Sequence, residues 1–100
     1  MTLRQVTLSW LKEPGNEEHI AALRRAGESL RQIPGVLGIE FGHVARLGRP
    51  SQDESFDVAM LITFASADAA RNYGPHPLHV QAAQQSQAYV AQVRSYSFEV

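Results

Sequence analysis

The chain has 100 residues, 44% of them hydrophobic, and nine basic against ten acidic side chains leave a formal charge of -1. That length supports one modest core, so residues 1–100 are expected to form a single domain. No basic run is denser than Arg24-Arg25 and no cysteine is present, which argues against nucleic acid or an anionic membrane as partner and removes disulfides, thiolate zinc sites and cysteine nucleophiles.

The first residues, Met1 to Val6, lack the apolar run and small-residue cleavage site of a signal peptide, and no later stretch is long enough to span a bilayer. A soluble cytoplasmic protein is expected. From Leu3 to Leu11 the residues alternate, with Val6, Leu8 and Trp10 on one face and Gln5, Thr7 and Ser9 on the other, which predicts a strand. Lys12-Glu13-Pro14-Gly15 ends it. Asn16 then suits a helix N-cap, Glu17 and Glu18 favour the positive end of the helix dipole, and a stripe of Ile20, Leu23, Ala26, Gly27, Leu30 and Ile33 predicts a helix over 17–33. Gly27 on that stripe costs about 1 kcal/mol relative to Ala, which suggests close packing there.

Pro34-Gly35 stops the helix. A second strand is predicted over 36–44, with Leu37, Ile39 and Phe41 alternating against Gly38, Glu40 and Gly42, and the glycines suggest a bulge or close approach. After a polar loop over 45–54, the stretch 55–64 is the most apolar strand and is expected to be buried on both faces. Ser66 caps a short helix ending near Tyr73, a longer helix is predicted over 77–90, and a fourth strand over 93–100, where Tyr96, Phe98 and Val100 alternate with Ser95, Ser97 and Glu99.

The stretch Tyr73-Gly74-Pro75-His76-Pro77-Leu78-His79 gathers a phenol, two imidazoles and two prolines. Each proline bars helical geometry at the residue before it, so one helix ends near Tyr73 and the next opens at Pro77. A short kink of this kind can aim Tyr73 and His79 into one space. His79 then reads either as a general base, since an unperturbed imidazole titrates near ~6.5, or as a structural histidine bonded to a backbone carbonyl. Tyr73 reads as a donor to a carbonyl that becomes an enolate, or as a packed ring with a wet hydroxyl. His76 is expected mainly to cap the second helix, with ligand contact as the alternative. His19 and His43 are expected at the surface, and His76 with His79 lacks a third protein ligand for a metal.

The order strand, helix, strand, strand, helices, strand is the α+β, ferredoxin-like βαββαβ arrangement, a four-stranded antiparallel sheet with helices on one face. The doubly apolar third strand then needs a cover for its second face, and dimerisation through the sheets supplies one. With Ile33-Pro34-Gly35-Val36, Ile62-Thr63-Phe64 and above all Tyr73-x-x-His76-Pro77-x-His79 in place, the chain resembles the stress-responsive A/B barrel (Dabb) family over essentially its whole length.

That resemblance implies a homodimeric α/β barrel with a small-molecule pocket in each subunit between sheet and helices. Polyketide cyclisation by intramolecular aldol condensation, without a metal or organic cofactor, is known in the family, and its tyrosine and histidine correspond to Tyr73 and His79. Two further pocket histidines of that chemistry correspond to Gln5 and Val58, which cannot exchange protons at neutral pH. The resemblance also turns Gln5, Thr7, Ser9 and Val58 toward the pocket, with Met60 beside them or in the core. The expected function is a dimer that binds a carbonyl-containing, polyketide-like molecule, with His79 and Tyr73 promoting an aldol-type cyclase, lyase or isomerase step. The alternatives are a noncatalytic stress-response or ligand-carrying dimer, and a cofactor-free monooxygenase of the dimeric barrel type.

Overall fold

A computed structural model describes residues 1–100. The elements are strand β1 (Leu3–Leu11), helix α1 (Glu17–Gly27) continued by a 3-10 turn (Glu28–Gln32), strands β2 (Val36–His43) and β3 (Val58–Phe64), helices α2 (Ala67–Tyr73) and α3 (Pro77–Ser86), and strand β4 (Val90–Glu99). The four strands form one antiparallel sheet in the order β2-β3-β1-β4. This is the ferredoxin-like α+β arrangement, with all helices on one face of the sheet.

The core lies between that face and the helices. Ile62 and Phe64 of β3 are fully buried, joined by Leu3, Ile39, Leu30, Ile33, Tyr73 and Ala82. A second cluster of Leu11, Leu23 and Val58 closes the other end. On the opposite sheet face, Val6, Leu8 and Trp10 of β1 and Leu61 of β3 are only half-buried, while Tyr96 and Phe98 of β4 remain 57% and 50% exposed. The register, with Val6 opposite both Leu61 and Tyr96, places these residues on one surface. Within one chain, therefore, β3 is buried on its helix side only, and its second face lacks the cover that its apolar composition calls for.

The element boundaries differ from the sequence expectation where local hydrogen bonding intervenes. Helix α1 stops at Gly27, a weak helix former, and the backbone tightens into the 3-10 turn. In that geometry residues three apart eclipse, which suits Leu30 and Ile33, each only 3% exposed. Strand β3 begins at Val58 rather than at 55, because Asp53 holds Ser55 in a turn through bonds of 3.0 Å to its amide and 2.6 Å to its hydroxyl. Helix α3 ends at Ser86, whose hydroxyl donates to the Ala82 carbonyl at 2.9 Å. Strand β4 starts early, at Val90 opposite Leu11, because the Lys12 amide donates to the Tyr89 carbonyl at 2.8 Å and extends pairing past a bulge at Trp10/Leu11.

Two residues fix how the connections meet the sheet. Asp57, 9% exposed, accepts from the Leu11 amide at 2.8 Å and from the Gly15 amide at 2.8 Å, so one carboxylate ties the β1–α1 turn to the start of β3. Gly35, at φ 88°, turns the chain into β2 so closely under α2 that a Cβ there would lie 2.5 Å from the Ala69 Cβ. Gly27 is different, since a Cβ would meet the Met60 sulfur at an ordinary 3.8 Å; close packing does not demand glycine there. The β2 irregularity between Val36 and Gly38 lies beside Leu37, which is 62% exposed, while Gly38 and Gly42 face open space.

These contacts separate the two glycines experimentally. Gly35→Ala should cost about 2–4 kcal/mol in urea unfolding, from a left-handed backbone and a clash that α2 must yield to. Gly27→Ala should be neutral or stabilise by up to about 1 kcal/mol. Equal effects at the two positions would refute this reading of the packing.

Candidate active site

Helix α2 ends on Tyr73, and the Gly74-Pro75 break returns the chain so that His76 caps α3 with Pro77 in its first turn. The His76 Nδ1 accepts from the Leu78 amide at 3.1 Å, and the His76 carbonyl receives the His79 and Val80 amides, each at 3.0 Å. This compact turn brings the Tyr73 and His79 rings to a centroid distance of 4.5 Å at 43°. Behind Tyr73 stands Phe64, edge-on at 5.1 Å and 72°. The phenol is thus seated on the fully buried end of β3.

Both side chains line a cavity of about 410 Å³ between the sheet and the helices. Its walls are mainly apolar, with Leu23, Leu30, Phe41, Val58, Met60 and Ala82 among them, and Thr7, Ser9 and Ser86 supply neutral polar groups. A mostly apolar cavity with a few convergent polar groups is the usual form of a small-molecule site.

The hydrogen bonds assign protons. The His79 Nδ1 lies 2.8 Å from the Gly74 carbonyl oxygen. A carbonyl can only accept, so in the neutral ring Nδ1 carries the proton and Nε2 keeps the lone pair, the state a general base needs. The structural reading of His79 is thus met at Nδ1, and in that tautomer Nε2 carries the lone pair. Burial pushes the Tyr73 phenol from 10.0 up to about 12, so it stays protonated at neutral pH and can donate. A protonated phenol beside an imidazole can serve carbonyl chemistry in which charge develops on oxygen as a proton leaves carbon.

Thr7, Ser9, Val58, Met60, Tyr73 and His79 are brought together around the cavity, whereas Gln5 and His76 stand outside its lining. Gln5 is drawn sideways into a hydroxyl network on β1 and β4, donating to Thr7 at 3.4 Å and accepting from Ser97 at 3.4 Å, while Thr7 and Ser95 share a 3.1 Å bond. His76 spends its Nδ1 on the cap. Phe41, Gln92 and Val93 also reach the cavity. Phe41 shares the inward parity of Ile39, which was the available signal, but residues on β4 could be placed only once its register against β1 was known.

Of the remaining histidines, His43 is exposed as expected. His19 is not a simple surface residue. Its ring stacks 4.4 Å from Tyr89, with Nε2 3.9 Å from the Glu13 carboxylate.

A ferredoxin-like sheet carrying a cavity between itself and its helices defines the structural class. The family model described as the stress responsive A/B barrel domain matches residues 3–100, and the chain belongs to that family. The fold is shared with a protein from Arabidopsis thaliana at 21% identity and TM-score 0.83, covering 98% of this chain and 94% of that one. It is also shared with a dimeric ferredoxin-like protein of unknown function from Thermobifida fusca, at 22% identity, TM-score 0.78 and coverages of 100% and 92%. A hydroxynitrile lyase from Passiflora edulis matches at 16% identity, TM-score 0.77 and coverages of 99% and 93%. No curated protein matches the sequence. No helix is long and apolar enough to cross a membrane.

The Tyr73 environment has a spectroscopic consequence. Its folded pKa, about 12, exceeds the unfolded value near 10.0, so its contribution to stability is intact below about pH 10 and is lost as the pH rises toward 12. Tyrosinate absorbance should show a late step near pH 12 that Tyr73→Phe removes, with a shallower alkaline loss of stability in the variant. A step that survives the substitution would assign it to another tyrosine.

Proposed function

We propose that the protein is a homodimer that binds a small carbonyl compound of polyketide type in each subunit and promotes an aldol-type step without a cofactor. The carrying observation is the pairing, on one cavity, of a His79 whose proton is held on Nδ1 with a Tyr73 whose phenol is buried and protonated. In this reading the C–H bond next to the substrate carbonyl breaks and its proton passes to His79 Nε2. The electron pair moves onto the carbonyl oxygen, which accepts from the Tyr73 hydroxyl. The enolate carbon then bonds to a second carbonyl carbon in the same chain, and His79 returns the proton to the new alkoxide. Condensation of this kind conserves every atom, and loss of water from the aldol would follow the same proton path. The likeness in fold to a hydroxynitrile lyase supports catalysis on this scaffold.

Dimerisation is supported by the uncovered sheet face. Val6, Leu8, Trp10, Leu61, Tyr96 and Phe98 share that surface in one protomer, and a contiguous apolar sheet face of this kind calls for a cover. A second copy applied face to face buries the same residues on both sides, and it leaves each cavity on the far side of its own sheet. Neighbours of this fold from Thermobifida fusca and Bacteroides fragilis are described as dimeric.

The chemical proposal is tested by deuterium exchange at the methyl group of a methyl aryl ketone, followed by NMR in heavy water. The protein should accelerate exchange. His79→Ala should lower the catalysed rate by roughly 100-fold to 10,000-fold, and Tyr73→Phe by roughly 100-fold or more, with the circular dichroism of His79→Ala unchanged. Full activity in His79→Ala would end the base assignment. For the assembly, sedimentation should give one dimeric species, and Phe98→Lys should yield monomer; a wild-type protein that is monomeric at micromolar concentration would contradict the sheet-face argument.

A further inference from the structure

An aldol step needs a second carbonyl to be held and polarised besides the one that enolises. On the helix side of the cavity, the Ser86 hydroxyl is committed to the Ala82 carbonyl at 2.9 Å. On the sheet side two hydroxyls line the cavity, those of Thr7 and Ser9 on β1. Ser9 stands between Val58 and Val93, neither of which can orient it by a side-chain hydrogen bond. Thr7 stands between Met60 and Ser95, and a chain of polar groups converges on it. The Ser97 hydroxyl donates to Gln5 Oε1 at 3.4 Å, Gln5 Nε2 donates to Thr7 Oγ1 at 3.4 Å, and Thr7 shares a 3.1 Å bond with Ser95. Ser95 and Ser97 are exposed whereas Gln5 and Thr7 are half-buried, so the chain runs from solvent to the edge of the cavity.

A hydroxyl oxygen accepts two hydrogen bonds and donates one. Deepening the reading above and resting on it, we infer that Gln5 and Ser95 fill the two acceptor positions of Thr7, and that Thr7 donates its one proton, in a hydrogen bond, to the carbonyl that the enolate attacks. Thr7 is then a further catalytic residue, and Gln5, Ser95 and Ser97 are positioning residues that aim it. Successive donors in a row also polarise one another, which strengthens the last. As the new carbon–carbon bond forms, the electron pair of the attacked carbonyl moves onto its oxygen, and the Thr7 hydrogen bond holds that alkoxide until His79 returns the proton taken from carbon. Thr7 keeps its own proton throughout. Tyr73 from the helices and Thr7 from the sheet thus engage the two oxygens of one guest from opposite walls, which fixes the carbonyl that becomes nucleophile and the one that is attacked. The two 3.4 Å bonds are long and therefore weak, so Gln5 contributes less than Thr7.

Heptane-2,6-dione separates the two steps within one compound. Deuterium entering its methyl groups reports enolate formation, and its closure to 3-methylcyclohex-2-enone, with loss of water, reports formation of the carbon–carbon bond. In heavy water, NMR should show the wild-type protein accelerating both. Thr7→Val, which keeps the β-branched shape suited to a strand, should lower ring closure relative to exchange by roughly 100-fold, and Thr7→Ser should bring the ratio back to within a few-fold of the wild type. Gln5→Met should lower the same ratio by roughly fivefold, in kcat rather than in KM. Equal losses of exchange and closure in Thr7→Val, or no loss of either, overturn the inference and leave the roles of Tyr73 and His79 standing. A wild-type protein that exchanges the methyl protons without closing the ring overturns it as well. If neither exchange nor closure is accelerated, the function proposed above and this inference fall together.

Discussion

Tyr73 rests edge-on against Phe64, a residue with no exposed surface, and much else depends on that contact. Phe64 ends β3, the strand that carries the most deeply buried side chains of the core, so the phenol is referenced to the most rigid part of the sheet. The backbone break at Gly74-Pro75 then needs to travel only a few residues before Pro77 restarts a helix and His79 swings back over the phenol at 4.5 Å. The Tyr73–His79 pair is in this way held by core packing on one side and by a backbone carbonyl on the other. Neither partner relies on a flexible loop for its position.

The same economy appears at the opposite end of the sheet. Asp57 is the one buried charged side chain of the chain, and its two oxygens are spent on backbone amides of the β1–α1 turn. That clasp determines where α1 sets out, and therefore where Leu23 and Leu30 form the cavity wall. Gly35 governs the other approach by letting α2 come down on the start of β2. Between these two constraints, α1 and α3 are held far enough above the sheet to leave a cavity of about 410 Å³.

The two faces of the sheet differ in what they ask for. The helix face is satisfied except for a mainly apolar cavity with a few polar groups. The other face presents aromatic and aliphatic side chains over a flat area that no helix of the chain covers, which fits a second sheet. The cavity and the uncovered apolar face thus lie on opposite sides of a single layer of strands.

Much of this was legible in the sequence because it depends on short-range rules. Alternation marked every strand, the caps Asn16, Ser66 and His76 act through their own side chains as residue type suggests, and two prolines made the Tyr73–His79 turn visible. Boundaries moved where hydrogen bonds came from far along the chain, as with Lys12 and Tyr89 at the start of β4. Gln5 is the clearest case among the site residues: its strand parity was right, yet its amide is drawn into the hydroxyls of β4, more than ninety residues away. The sequence by itself determined the order of elements, the alternation of β1 and β3 and the residues available for proton transfer, because local sterics and periodicity act within a few residues, whereas which face of each strand turns inward was set by packing against the helices. Only the tertiary structure decided which of them share a cavity, which nitrogen of His79 is held by the Gly74 carbonyl and that no Asp, Glu, Lys or Arg lines the cavity, because those depend on distances between segments that no local rule specifies.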